Sequence, residues 1–288
     1  MSRKEIDEVT GVETTGHEWD GIKELNKPLP RWWLWTFYAT IIWSIGYWVL
    51  YPAWPTMAGY TQGVLGYSQR ATVAEEVAAA RAAQGKFRDT LAATPLDQVK
   101  DDPELLRFAM AGGAAAFATN CAPCHGRGAQ GFVGYPNLND DEWLWGGSLE
   151  DIHTTIRFGI RSGHEEARDS QMPRFGLDGL LDNRQITDTA EYVLSLSGRA
   201  TDNAAAGRGR EVFAEQCVSC HGDDGKGNVG LGAPDLTDAI WLYGGTKTAV
   251  IESIRTGRGG QMPLWEGRLD PVTIKSLAIY DHSLGGGQ

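Results

Sequence analysis

Two short motifs contain all four cysteines of the chain, and in each motif a histidine directly follows the second cysteine. They read CAPCH at residues 121–125 and CVSCH at residues 217–221. Two thiols one helical turn apart can bond the two vinyl groups at one edge of a porphyrin, and the adjacent histidine can bind its iron. The motifs therefore predict two covalent c-type haems, with attachment through Cys121, Cys124, Cys217 and Cys220 and axial ligation by His125 and His221.

Other uses of paired cysteines fit this pattern less well. A structural zinc site can be built from two C-x-x-C units, and an exported protein can form two disulfides. A redox-active C-x-x-C pair is a third possibility. None of these needs a histidine immediately after both pairs, so covalent haem remains the favoured interpretation.

The motifs lie in two similar segments, offset by 96 residues. An aromatic residue stands four positions before each motif, and a proline, a tryptophan, an isoleucine and a Gln-Met-Pro triplet follow in the same order. The matched pairs are Phe117 and Phe213, Pro136 and Pro234, Trp143 and Trp241, Ile156 and Ile254, and the triplets at 171–173 and 261–263. An internal repeat of this kind predicts two domains of one fold.

Each iron needs a sixth ligand, and the repeat nominates one methionine for each haem: Met172 after the first motif and Met262 after the second. A histidine–methionine pair raises the reduction potential, as in electron-carrying cytochromes c. Core packing is the alternative for any methionine, but only five methionines exist and these two occupy matched positions. His153, His164 and His282 do not recur between the repeats, so they are weaker ligand candidates.

The spacing of apolar residues predicts a mainly α-helical fold. Helices are expected before each motif, around 149–157 and 246–255, and at the matched amphipathic segments 183–196 and 271–284. Asp102 and Pro103 have the pattern of an N-cap followed by proline at the first helical position. We therefore expect two tandem cytochrome c domains, at residues 102–199 and 200–288.

A 20-residue apolar run from Trp32 to Tyr51 has aromatic residues at both ends and no charged side chain. Its helical length of about 30 Å predicts a single transmembrane anchor at 32–54; a buried core helix is the alternative. Lys23, Lys27 and Arg31 precede it, so residues 1–31 are expected in the cytoplasm and the haem domains in the periplasm, at a bacterial inner membrane. Residues 55–101 form a partly helical linker, which could be a spacer or a docking element.

The chain has a net charge of −11, of which −9 falls after residue 31. An acidic exported surface suits a basic protein partner, although such charge also simply aids solubility. The sequence contains no basic patch, phosphate-binding glycine loop or nucleophile motif. It predicts no nucleic-acid partner and no catalytic residue of its own.

The N-terminal string resembles a known family. Residues 17–24 read HEWDGIKE, residues 26–33 read NKPLPRWW, and the anchor ends in Tyr51-Pro52. Together with the tandem haem motifs, this pattern is similar to the dihaem subunit, subunit III, of the cbb₃-type haem-copper cytochrome c oxidases. The resemblance implies an electron-transfer subunit that accepts electrons from a cytochrome c donor. It would pass them through a monohaem subunit to the catalytic haem-copper subunit, which reduces oxygen in aerobic respiration.

Each haem segment also resembles the small monohaem cytochromes c, and this resemblance implies that the carbonyls of Pro136 and Pro234 accept hydrogen bonds from the axial histidines. Arg157 and Arg255 are candidates for pairing with haem propionates. Two other functions stay open at this point: a free-standing, membrane-anchored dihaem electron shuttle, and a dihaem peroxidase. A peroxidase would require one haem with an open sixth position, which the two matched methionines argue against.

Overall fold

A computed structural model describes residues 5–285. The first four residues of the expected cytoplasmic segment and the last three of the expected second haem domain lie outside this range. The chain divides after Ala83 into two compact units. The N-terminal unit contains a membrane-anchor candidate, and the C-terminal unit contains both haem motifs.

The N-terminal unit begins with an antiparallel hairpin of β1 (Thr14–Trp19) and β2 (Ile22–Leu25). Asp20 and Gly21 form its turn, both with positive φ, as an Asp-Gly hairpin turn requires. Helix α1 (Arg31–Leu50) follows, then a short hairpin of β3 (Pro55–Thr56) and β4 (Gly59–Tyr60), and helix α2 (Gln69–Ala83). The sequence interpretation did not foresee the first hairpin.

Helix α1 has no buried residue, so it is not the core helix considered as an alternative. When helix length and hydropathy are judged together, no helix within residues 5–285 meets the requirement for a membrane span.

The C-terminal unit is helical. Its helices are α3 (Gly85–Ala93), α4 (Pro103–Asn120), α5 (Ala122–His125), α6 (Leu149–Phe158), α7 (Asn183–Leu196), α8 (Asn203–Gln216), α9 (Val218–His221), α10 (Lys247–Thr256) and α11 (Pro271–Leu284), with 3₁₀ turns at Leu96–Asp101 and Val229–Leu231. The Asp102 carboxylate caps α4 as expected. The bounds of α7 and α11 agree with the sequence prediction because their caps, at Asp182 and Asp270, are local signals.

The packing of these helices crosses between the two sequence repeats. Helix α4 of the first repeat packs mainly against α11 of the second, while α7 of the first repeat packs against α8 of the second. Phe117 and Tyr280 pair across α4 and α11 with ring centroids 5.5 Å apart. Phe213 and Tyr192 make the matching contact across α8 and α7 at 5.0 Å.

Two packed units follow from this exchange. The split unit consists of α4, α5 and α6 with α11, and its core includes Phe117, Cys121, Ile156 and Leu277. The continuous unit consists of α7 to α10, and its core includes Ile186, Phe213 and Ile254. The sequence repeats at 102–199 and 200–288 are therefore not the units of packing, because each repeat gives its last helix to the other haem motif.

Residues 85–101, expected to be part of the linker, pack on the split unit. Leu91 and Val99 are fully buried in a cluster with Leu105 of α4 and Ile279 of α11. The Lys275 ammonium group on α11 donates a 2.9 Å hydrogen bond to the Leu91 carbonyl and a second one to the Thr94 carbonyl. This stretch extends the haem-motif fold.

Candidate haem sites

Each C-x-x-C-H motif begins where a long helix ends. Cys121 is the C-cap of α4 and Cys217 that of α8, and the second cysteine and the histidine lie on the short helices α5 and α9. All four cysteines are unpaired thiols. Burial raises the pKa of Cys121 to about 12 and that of Cys217 to about 11, so both remain neutral thiols at neutral pH.

The two histidines are held in the same way. His125 Nδ1 lies 3.0 Å from the Pro136 carbonyl oxygen, and His221 Nδ1 lies 3.2 Å from that of Pro234. Since a carbonyl oxygen only accepts, each Nδ1 carries the proton, and each Nε2 keeps the lone pair needed by a metal. Burial lowers the pKa of both histidines, which favours the neutral, ligating form. The two hydrogen bonds implied by the resemblance to small monohaem cytochromes c are present.

The methionines lie with the opposite motif. Met262 packs against the core of the split unit, which contains Cys121, whereas Met172 packs against the continuous unit together with Cys217 and Val218. The repeat suggested that each haem takes the methionine following it in sequence. The packing instead brings Met262 to the first motif and Met172 to the second, because the chain exchanges its α7 and α11 segments.

Trp143 and Trp241 supply a test of whether haem fits. Each has a buried indole N–H without a hydrogen-bond partner in the described part of the chain. They occupy matched positions, one against each core, and a buried donor without an acceptor is costly. A haem carries two propionate groups that can accept such bonds. The unpaired indoles, neutral thiols and imidazole–thioether donors together fit haem c at both sites.

Sequence reasoning listed Trp143 and Trp241 as a matched pair but gave them no role, although the repeated pattern, WLWGG at residues 143–147 and WLYGG at residues 241–245, could have suggested one. It had nominated Arg157 and Arg255 for the propionates. In the structure, the Arg157 guanidinium donates bonds of 2.5 and 2.8 Å to the Glu266 carboxylate, and Arg255 pairs with Glu252 at 2.9 Å.

The other histidines lie apart from this pattern. His164 stacks on Phe158 with ring centroids 4.9 Å apart. His153 lies on α6, where burial and then the nearby cations Arg157 and Lys275 lower its pKa. Their surroundings do not repeat in the continuous unit.

These features define a tandem c-type cytochrome. The chain matches two family models: the N-terminal domain of cytochrome oxidase-cbb3, FixP, over residues 11–58, and cytochrome c oxidase, cbb3-type, subunit III, over residues 108–193 and 204–280. It belongs to the family of cbb₃-type cytochrome c oxidase subunit III, and is therefore a cytochrome c subunit of respiratory electron transport.

Full-length relatives agree with this assignment. A subunit FixP of a cbb3-type cytochrome c oxidase from Bradyrhizobium sp. is 56% identical over 285 residues, covering 99% of this chain and 98% of the relative. A subunit CcoP from Cereibacter sphaeroides is 54% identical over 276 residues, covering 96% and 95%. A FixP from Rhizobium etli is 50% identical with complete coverage of both chains.

Proposed function

We propose that the chain carries two covalent haems c in crossed ligation. Cys121 and Cys124 attach the first haem, whose iron takes His125 and Met262. Cys217 and Cys220 attach the second, whose iron takes His221 and Met172. The observation that carries this proposal is the packing of each methionine against the core that contains the opposite cysteine motif.

The residues of each site have distinct tasks. Haem c, when bound, supplies a one-electron ferric–ferrous couple. The proline carbonyl fixes the imidazole ring and its tautomer, which leaves the Nε2 lone pair for the iron of a haem. The methionine thioether would supply the second ligand and would favour the reduced iron. The Trp143 and Trp241 indoles would donate to propionate oxygens. A haem held by both ligands would carry electrons and leave oxygen and peroxide unactivated.

We propose further that the subunit accepts electrons from a cytochrome c donor. It passes them through a monohaem subunit to the catalytic haem-copper subunit of a cbb₃-type oxidase. Membership of the family supports this route, since the relatives are named as subunits of such an oxidase. The part of the net charge that falls after residue 31, −9 of the total of −11, supports a basic donor.

We also propose that α1 anchors the subunit in the inner membrane, with the haem units in the periplasm. At 1.5 Å per residue its 20 residues extend about 30 Å. Seven of the 20 are Trp or Tyr, which lower the hydropathy but are favourable at the membrane interface. Alkaline carbonate extraction of membranes tests this assignment: an anchored chain stays in the pellet, and a peripheral one is released.

Purification in mild detergent, followed by a redox-poised optical spectrum, tests the route. Two low-spin c-type haems with a sulfur-to-iron band, together with b-type haem and oxygen-reducing activity, are the expected result. Two c-type haems without companion subunits would indicate the free shuttle instead. A high-spin ferric c-type haem would indicate peroxide chemistry.

A further inference from the structure

Two glycines end the helices that face the methionine segments. Gly159 follows α6 and Gly257 follows α10, at matched positions of the two repeats. Their φ angles are +76° and +67°, with ψ angles of −175° and 165°, a backbone region that is essentially open only to glycine. Sequence reasoning had singled out neither.

The methionine segment of the other repeat lies directly on each glycine. A Cβ atom on Gly159 would lie 2.5 Å from the Met262 carbonyl oxygen and 2.8 Å from the Leu264 nitrogen. A Cβ atom on Gly257 would lie 2.5 Å from the Met172 carbonyl oxygen. Carbon and oxygen atoms normally stay roughly 3.3 Å apart. Because the contacted atoms belong to the backbone, relief would require the methionine segment itself to move.

Backbone hydrogen bonds tie these segments to the same helix ends. Ile160 and Met262 exchange two bonds, each 3.0 Å long, and Glu266 N–H donates to the Arg157 carbonyl at 3.0 Å. In the continuous unit, the N–H groups of Gly176 and Leu177 both donate to the Arg255 carbonyl at 3.1 Å. These bonds hold each methionine segment against the helix end, and so they determine the position from which the methionine side chain extends.

We propose that Gly159 and Gly257 are positioning residues for the axial methionines. The missing side chain lets each methionine segment lie against the helix end, and this contact sets where the sulfur meets the iron. Gly159 acts on Met262 and the haem at Cys121, and Gly257 acts on Met172 and the haem at Cys217. This inference rests on the proposed crossed ligation.

The test compares alanine variants of the full chain loaded with both haems, as verified by mass spectrometry. Gly159→Ala is expected to remove about half of the sulfur-to-iron band and to lower the potential of one haem. Gly257→Ala is expected to do the same to the other haem. Unchanged band intensity and unchanged potentials in both variants would overturn the proposal.

Control variants separate the collision from the effect of a side chain placed at positive φ. Gly267, five residues after Met262, has φ +77°, and Gly179, seven residues after Met172, has φ +69°; a Cβ atom added to either would have no atom within 4 Å apart from its chain neighbours. Gly267→Ala and Gly179→Ala place a side chain at positive φ without the collision, so both should keep the full band. Loss of the band in these controls would equally overturn the proposal.

Further variants keep the outcome interpretable. The two alanine variants act on different haems, so Gly257→Ala decides the outcome if Gly159→Ala does not accumulate; it should lose the other half of the band. Met262→Leu provides the reference. If it leaves the band intact, the ligand assignment itself fails. If it halves the band while Gly159→Ala does not, only the positioning role fails.

Discussion

The Glu191 carboxylate on α7 forms a 2.6 Å ion pair with the Lys247 ammonium group at the start of α10, although the two residues belong to different sequence repeats. The same carboxylate accepts bonds from the Thr201 hydroxyl at 2.5 Å and the Thr201 N–H at 2.7 Å. This one side chain, which is fully buried, thus joins α7 to the start of α10 and to the segment before α8 that contains Thr201. It is a central polar contact of the helix exchange.

Glu191→Gln should destabilise the chain at pH 7 by about 2 kcal/mol, because the hydroxyl and amide donors lose a charged acceptor. Burial acts to raise the pKa of Glu191, but Lys247 and the Thr201 and Asp202 donors outweigh it and lower the pKa to about 2. The stabilisation is therefore present above about pH 4.5 and is lost as the pH falls toward 2. Thermal unfolding from pH 2 to 7 measures this. Glu252→Gln, at a half-exposed carboxylate that pairs with Arg255, is the control, and equal effects of the two variants would contradict the prediction.

Asp281→Asn should stabilise the chain at neutral pH, whereas Glu191→Gln should destabilise it. Burial raises the pKa of this α11 carboxyl to about 7, so the folded chain keeps a proton that the unfolded chain releases near pH 4. Its contribution is greatest below about pH 4, falls as the pH rises from 4 to 7, and stays at its lowest value above that. The amide does not titrate, so relative to the parent it should stabilise the chain by about 2–3 kcal/mol more at pH 8 than at pH 5. Melting curves of the variant and the parent, measured at both pH values, test this prediction. Asp101→Asn, on the surface, should show no such difference.

The continuous unit should fold as a fragment. Residues 169–260 contain Met172, α7, the second motif and α10 in one stretch, and we expect one low-spin, methionine-ligated haem when they are produced in a host that attaches haem c. Residues 84–199 lack α11 and Met262, so they should give a high-spin or unfolded product. The converse spectra would show that each repeat folds on its own with its own methionine.

Trp143→Phe should lower the potential of one haem, on the order of tens of millivolts. The change withdraws the positive end of an N–H dipole from that haem, which favours the ferric charge. Thermal stability without haem should change little, because the indole N–H has no protein partner within the described residues. Spectroelectrochemical titration measures the shift, and Trp241→Phe should affect the other haem. Identical potentials in variant and parent would refute the propionate role.

Local features of the fold could be predicted from the sequence, whereas the exchange could not. Caps and amphipathic spacing fix the bounds of α7 and α11, and the two motifs locate the haem sites. The two repeats are similar, however, so the spacing of apolar residues does not indicate whether α7 or α11 packs against α4, and which of them packs against α8.

The choice between the crossed and the uncrossed helix packing depends on four differences between matched positions. Asp188 on α7 pairs with Arg208 on α8 through two 2.7 Å bonds, while its counterpart Ser276 faces the small Gly112 on α4. Glu191 pairs with Lys247, while their counterparts Ile279 and Leu149 pack in an apolar cluster. The uncrossed arrangement would bury both carboxylates against apolar or uncharged surface, which is costly. This signal is readable in the sequence only after the helix pairs are known.

The nesting of one unit inside the other imposes an order on biosynthesis. The ribosome finishes every part of the continuous unit by Thr256, but the α4 face stays uncovered until α11, the last helix of the described chain, has been made. The first cysteine motif to be translated is therefore the last to be enclosed. A nonsense mutation near residue 265 would remove α11. It would therefore disrupt the proposed haem site of His125, some 140 residues upstream, but leave intact the site of His221, which is nearer to the truncation.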